Sequence, residues 1–190
     1  MTTIAVVRKN GVAAIAGDTL TKWGSAKESA AYIRNHEKIF HIGSSYVGVT
    51  GNATFKHIVT DYFDSLDAPP EFNSVAGIFR IWNRLHGDFK DRYFLQPEED
   101  KEDAIESTRM DVLIANAKGI FGVSAQRTVQ EFSRFYAYGS GGDYALGALY
   151  SVYDRSDLDA EALARHAITA AAEFDDGTGL PIQSFSIPLL

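Results

Sequence analysis

Two apolar runs open the chain, Thr3–Val7 and Val12–Ala16, with Asn10-Gly11 between them. Asn-Gly supplies both positive-φ positions of a type I′ turn, so the pattern predicts a tight β-hairpin. A second strand pair is expected from Lys38–Ile42 and Tyr46–Thr50 around Gly43-Ser44-Ser45, while Thr19–Glu37 reads as polar and irregular. The period then changes. Phe55, Ile58, Val59, Tyr62, Phe63 and Leu66 recur at helical spacing, and Pro69-Pro70 stops that helix. Val75, Ile78, Phe79, Trp82, His86 and Phe89 mark a second helix.

Strand patterns return at Met110–Asn116 and Gly119–Ser124, and once more near Phe132–Tyr138. A third helix is expected over Asp143–Tyr153 and a fourth from a cap at Asp157 or Asp159 to Phe174. A last strand covers Ile182–Ile187, and the acidic stretch Pro97–Glu106 reads as a solvated loop. Strand pairs followed by helix pairs predict an α+β protein. Two stacked antiparallel sheets, each covered by a helix pair, would bury every apolar face. This is a four-layer αββα sandwich, expected to form one domain over residues 2–190.

Composition narrows the partners. At 190 residues the chain can bury a sizeable core, and a net charge of −7 argues against nucleic acid or an anionic membrane. With no cysteine, disulfides and a cysteine nucleophile are excluded. Arg8-Lys9-Asn10 interrupts the first apolar stretch and Asp18 closes it, so no secretory signal is expected, and no apolar run approaches the roughly 18 residues of a membrane-spanning helix. The chain reads as cytoplasmic.

The chemistry sits at the start, Met1-Thr2-Thr3. A small second residue permits removal of the methionine, which would leave Thr2 with a hydroxyl nucleophile and a free α-amine. That amine has an ordinary pKa of about 7.7–8.0, which suits a general base. Alone the motif is weak, since many chains begin this way. It gains weight from the segments Ala16-Gly17-Asp18, Lys38-Ile39-Phe40, Val49-Thr50-Gly51, Tyr138-Gly139-Ser140-Gly141-Gly142, and Asp175 to Thr178.

Together these segments resemble the proteasome β-type and HslV-like threonine peptidases nearly end to end, nearest the bacterial proteasome homologue of β-proteobacteria. The resemblance implies the N-terminal nucleophile hydrolase fold and a role for each residue. Thr2 would be the nucleophile, Lys38 the ammonium that lowers its hydroxyl pKa, and Asp18 the partner of that lysine. Lys27 and Lys22 remain alternatives for the lysine, because the segment after Asp18 is about four residues longer than in HslV by hand alignment. Gly51 would give the oxyanion-hole N–H. Ser140 and Asp175 would support the α-amine, and Thr178 would stand where many relatives carry serine. His36, Phe40, Val49 and Ala53 would line the pocket beside Thr2, which implies a preference for apolar residues before the cut.

Each residue also has a plain reading. Asp18 could end a strand, Lys38 could be a surface lysine, and Asp175-Asp176-Gly177 could be only a turn. Gly139–Gly142 lacks the Gly-x-x-x-x-Gly-Lys-Ser/Thr pattern of a phosphate loop. The resemblance implies a peptidase acting on peptides or unfolded proteins, with no cofactor and no metal. It also implies a homo-oligomer of stacked rings with roughly six or seven subunits each, fourteen in all being favoured. An ATPase unfoldase as partner is left open. The rival readings are a non-catalytic ring scaffold and an amidase acting on a small molecule.

Overall fold

The computed structural model describes residues 2–96 and 104–190. Positive φ at Asn10 (50°) and Gly11 (74°) closes the expected hairpin of β1 (Thr3–Lys9) and β2 (Val12–Asp18). The second pair forms as β5 (Ile39–Ile42) and β6 (Ser45–Val49). Between them the segment expected to be irregular holds a short hairpin, β3 (Thr21–Trp23) with β4 (Ala26–Glu28). Its residues are polar or exposed, so no apolar alternation announces it.

Helices α1 (Phe55–Asp64) and α2 (Val75–Asp91) follow, the second capped where the Ser74 side chain accepts from the Gly77 N–H. Then come β7 (Val112–Asn116) and β8 (Gly119–Val123). The single strand expected near Phe132–Tyr138 is two, β9 (Val129–Phe132) and β10 (Phe135–Gly139), and they belong to different sheets. Apolar and aromatic residues continue across the bend at Ser133-Arg134, which hid the crossover. Helices α3 (Gly142–Val152) and α4 (Ala160–Phe174) complete the second helix pair, and Asp159, not Asp157, caps α4. Strand β11 (Ile182–Pro188) ends the chain. Most of the acidic stretch, residues 97–103, lies outside the described residues. Its last member, Glu106, is not simply solvated, because it meets His86 at 2.9 Å and Lys90 at 2.6 Å.

The strands form two larger sheets, β10-β1-β2-β11 and β5-β6-β7-β8-β9. Ile4, Val6, Ile15, Leu113 and Ile120 pack between them. Alanines of α4 (Ala164, Ala167, Ala171) let that helix approach the first sheet closely, over Ala5, Ala14 and Ala16. The second sheet is covered instead by large rings, Phe63, Phe72, Trp82 and Phe89. The result is the expected αββα sandwich.

Antiparallel pairing brings distant residues to one end of the first sheet. Thr3 at the start of β1 faces Gly139 at the end of β10. Asp18 at the end of β2 faces Ile182 at the start of β11. The start of β5 and the end of β6 add Lys38 and Gly51 from the second sheet.

Candidate active site

At this end of the sandwich Asp18 is fully buried, and both its oxygens are occupied. Oδ1 accepts from the Thr3 N–H at 2.9 Å and from Lys38 Nζ at 2.8 Å. Oδ2 accepts from the Leu20 and Gly179 N–H groups at 3.0 and 3.1 Å. Lys38 Nζ also donates to the Leu20 carbonyl at 2.5 Å. Burial pulls the Lys38 pKa down, and the charge of Asp18 and its hydrogen bond oppose that pull. The ammonium is therefore held charged chiefly by one carboxylate, beside the first residues of β1.

A second carboxylate works from the other side. Asp175 accepts from Ser140 Oγ at 2.7 Å and from Thr178 Oγ1 at 2.5 Å. Thr178 Oγ1 lies 2.6 Å from Thr3 Oγ1, which itself accepts from the Gly141 N–H at 2.9 Å. Since Thr178 spends its proton on Asp175, Thr3 must donate to Thr178, and the chain of hydroxyls has one direction. Burial raises the Asp175 pKa, but the bonds from Thr178, Ser140 and the Gly177 backbone outweigh it, and the net shift is downward. Thr3 was absent from the expected site. Only its position after Thr2 hinted at a role.

Two glycines are required by the geometry. Gly51 has φ of 95°, and a Cβ there would stand 2.7 Å from the Arg109 carbonyl oxygen. Gly139 has φ of 106°, and a Cβ there would fall 1.8 Å from the Thr2 carbonyl oxygen. That oxygen accepts from the Ser140 N–H at 3.0 Å, so strand β10 fixes where Thr2 sits.

Thr2, Lys38 and Gly51 line one cavity of about 220 Å³, together with Val49 and Ala53. Of the other expected wall residues, Phe40 packs against the core under α1 and α2, and the His36 ring holds the Ile33 carbonyl at 2.8 Å. Neither lines the cavity among the described residues. Lys22, Trp23 and Lys56 do; Lys22 was an alternative for the catalytic lysine, and the other two were not expected there. Lys56 had one signal in the sequence, because the first turn of a helix begun straight after Gly51–Ala53 must face the same opening. Of the alternative lysines, Lys22 meets Asp176 and Lys27 is exposed on β4.

No family model matches the chain. The HslV protein of Desulfovibrio desulfuricans, an ATP-dependent protease subunit, is 30% identical over 178 residues, covering 90% of this chain and 89% of that one. The chain belongs to the HslV-like family of proteasome-type peptidases. HslV of Petrotoga mobilis is 28% identical over 181 residues, again covering 90% of this chain and 89% of its own. The structure of Thiobacillus denitrificans BPH in complex with epoxomicin is 61% identical, with a TM-score of 0.95 and full coverage of both chains. HslV from Trypanosoma brucei, at 21% identity, TM-score 0.70 and coverage of 98% and 99%, shares the fold. This HslV-like chain is a threonine peptidase, one subunit of a proteasome-like ring. None of its described helices is long and apolar enough to cross a membrane.

Proposed function

We propose that Thr2 becomes the nucleophile when Met1, which lies outside the described residues, is removed, and that residues 2–190 act as one peptidase domain. The observation that carries this reading is the single carboxylate oxygen of Asp18 that takes both the Thr3 N–H and the Lys38 ammonium. It ties the start of β1 to a buried cation, and the cavity that Lys38 lines also holds Thr2.

In this mechanism Thr2 Oγ attacks the peptide carbonyl while the freed α-amine takes its proton. Lys38 stabilises negative charge on Oγ, and Asp18 keeps Lys38 protonated and aimed. The oxyanion is held by the N–H of Gly51, a donor already fixed in place before substrate arrives. The amine then gives its proton to the leaving nitrogen, and an ester on Thr2 remains for water to hydrolyse. Asp175, with Ser140 and Thr178, holds the Thr2-Thr3 segment and favours a protonated amine when one forms.

The ring itself is proposed to stack as two, with roughly fourteen subunits in all. Substrates are proposed to be peptides or unfolded proteins in the cytoplasm. The curated relatives' names specify ATP dependence. A separate ATPase is the proposed source here, because the sequence carries no Gly-x-x-x-x-Gly-Lys-Ser/Thr motif.

Intact mass should show a chain beginning at Thr2. A peptide epoxyketone such as epoxomicin should then add to it, and Thr2→Ala should not react while still assembling. Labelling or peptidase activity retained in Thr2→Ala would assign the nucleophile elsewhere. Native mass spectrometry reads the subunit number, and a stable active monomer would reject the ring.

A further inference from the structure

Three lysines wall the cavity beside Thr2, and no acidic residue lines it among the described residues. Two of the three are neutralised. Lys38 pairs with Asp18 at 2.8 Å, and Lys22 pairs with Asp176. Lys56, in the first turn of α1, makes no ion pair among the described residues and donates to the neutral carbonyl of Asn35. An ammonium has three donors, so this bond leaves two for a ligand. Burial lowers the Lys56 pKa, the more distant Glu37 and Glu28 oppose that, and its charge is felt by Lys38. Both cations therefore act on the same enclosed space.

We propose that Lys56 makes this cavity select an acidic side chain, Asp or Glu, on the residue before the scissile bond. The inference rests on the reading of Thr2 as nucleophile. Ala53 leaves the cavity deep enough for a side chain, and Lys56 stands next along the same helix start. A substrate carboxylate would find a charge-assisted donor there, partly shielded from water. A lysine side chain in the same place would meet uncompensated like charge. The apolar preference expected from the sequence took Val49 and Phe40 as walls; Val49 does line the cavity, but Phe40 packs against the core under α1 and α2 and leaves that wall to other residues.

The test is a set of fluorogenic peptides that differ only in the residue before the cut: Glu, Leu or Lys. Each is assayed with the wild-type ring and with Lys56→Gln, Lys56→Arg and Lys56→Glu. The wild type should cleave the Glu peptide best. The Glu-to-Leu ratio of kcat/KM should fall on the order of 10- to 100-fold in Lys56→Gln, as for loss of a hydrogen bond to a charged group. Lys56→Arg should keep the ratio, and Lys56→Glu should turn preference toward the Lys peptide. Any influence of Lys56 on Lys38 acts on all peptides alike and cancels in the ratio. Leu cleaved best, with a ratio unmoved by Lys56→Gln, overturns the inference. Epoxyketone labelling of Thr2 in the same samples separates the two readings. Labelling with an unmoved ratio rejects only the role of Lys56, while absence of both labelling and cleavage rejects Thr2 as nucleophile as well.

Discussion

Asp18 and Asp175 both gather hydrogen bonds around Thr2 and Thr3, but they do it in different surroundings. Asp18 is fully buried, holds an ammonium, and has each oxygen bonded to two donors. Asp175 is half-buried and holds two hydroxyls, with no cationic side chain bonded to it among the described residues. A buried ion pair tolerates no half measures, because either partner alone is a charge without compensation. Hydroxyls beside a half-wet carboxylate can be exchanged for others. The site thus combines an all-or-none clamp with an adaptable one, and substitution should separate them.

The largest effect should come from Asp18→Ala. It strands the Lys38 ammonium in the interior, at a cost of about 3–5 kcal/mol of stability by urea titration. Adding Lys38→Met should recover much of that loss and none of the labelling at Thr2, because the pair is then replaced by apolar atoms. An Asp18→Ala protein as stable as wild type would show that the clamp is not a coupled pair.

Lys38→Ala alone should lower kcat/KM on the order of 10²–10³-fold, the scale of losing one preorganised group that stabilises negative charge. Its stability should suffer less than that of Asp18→Ala, since the remaining carboxylate keeps three backbone N–H donors. If Lys22→Ala or Lys27→Ala inactivates the enzyme and Lys38→Ala does not, the clamp is structural only.

Asp175→Asn should cost about 1–2 kcal/mol, because an amide oxygen still accepts but carries no charge. Its signature is the pH profile. The carboxyl of Asp175 is held below its ordinary value of 3.8 in the folded protein. A depressed folded value means stability that is fully present above the unfolded value and is lost as pH falls through the folded one. Wild type and Asp175→Asn should therefore differ at neutral pH and converge in acid. Parallel curves down to the acid limit would contradict the assignment.

The same contrast explains what the sequence showed and what it hid. The layers were legible because β1, β2, β7 and β8 are continuous apolar runs separated by turn residues, and because Phe55 to Phe63 keeps helical spacing. Asp18 and Lys38 were legible through resemblance, and burial explains why their types cannot vary freely. The β3–β4 hairpin was not legible, since its polar residues bury no apolar face. Thr3 escaped notice because a second threonine at a chain start looks like a strand former, although its Oγ1 links Gly141 to Thr178. Phe40 was expected at the cavity and is not among its described lining residues, while Lys56 is and had only its place in the first turn of α1 to announce it. Which face of an element meets the cavity depends on tertiary packing, and local spacing does not report it.

Thr178 gives the smallest predicted effect and the finest test of the adaptable clamp. Its side chain is nearly buried, and its hydroxyl both accepts from Thr3 and donates to Asp175. Thr178→Ser keeps that hydroxyl and deletes one methyl group, worth about 0.8 kcal/mol if fully buried. Rate and labelling at Thr2 should be unchanged within about twofold, since less than 0.5 kcal/mol would reach the transition state. Thr178→Val keeps the shape instead and removes the hydroxyl. Thr3 Oγ1–H then loses the Thr178 acceptor, at about 1–3 kcal/mol, and Asp175 keeps Ser140 as its side-chain donor among the described residues. The two variants differ by little more than an oxygen and a methyl group, so a large gap between them assigns the effect to the hydroxyl chain. A Thr178→Val protein that matches wild type in stability and labelling would remove the Thr178 hydroxyl from the clamp.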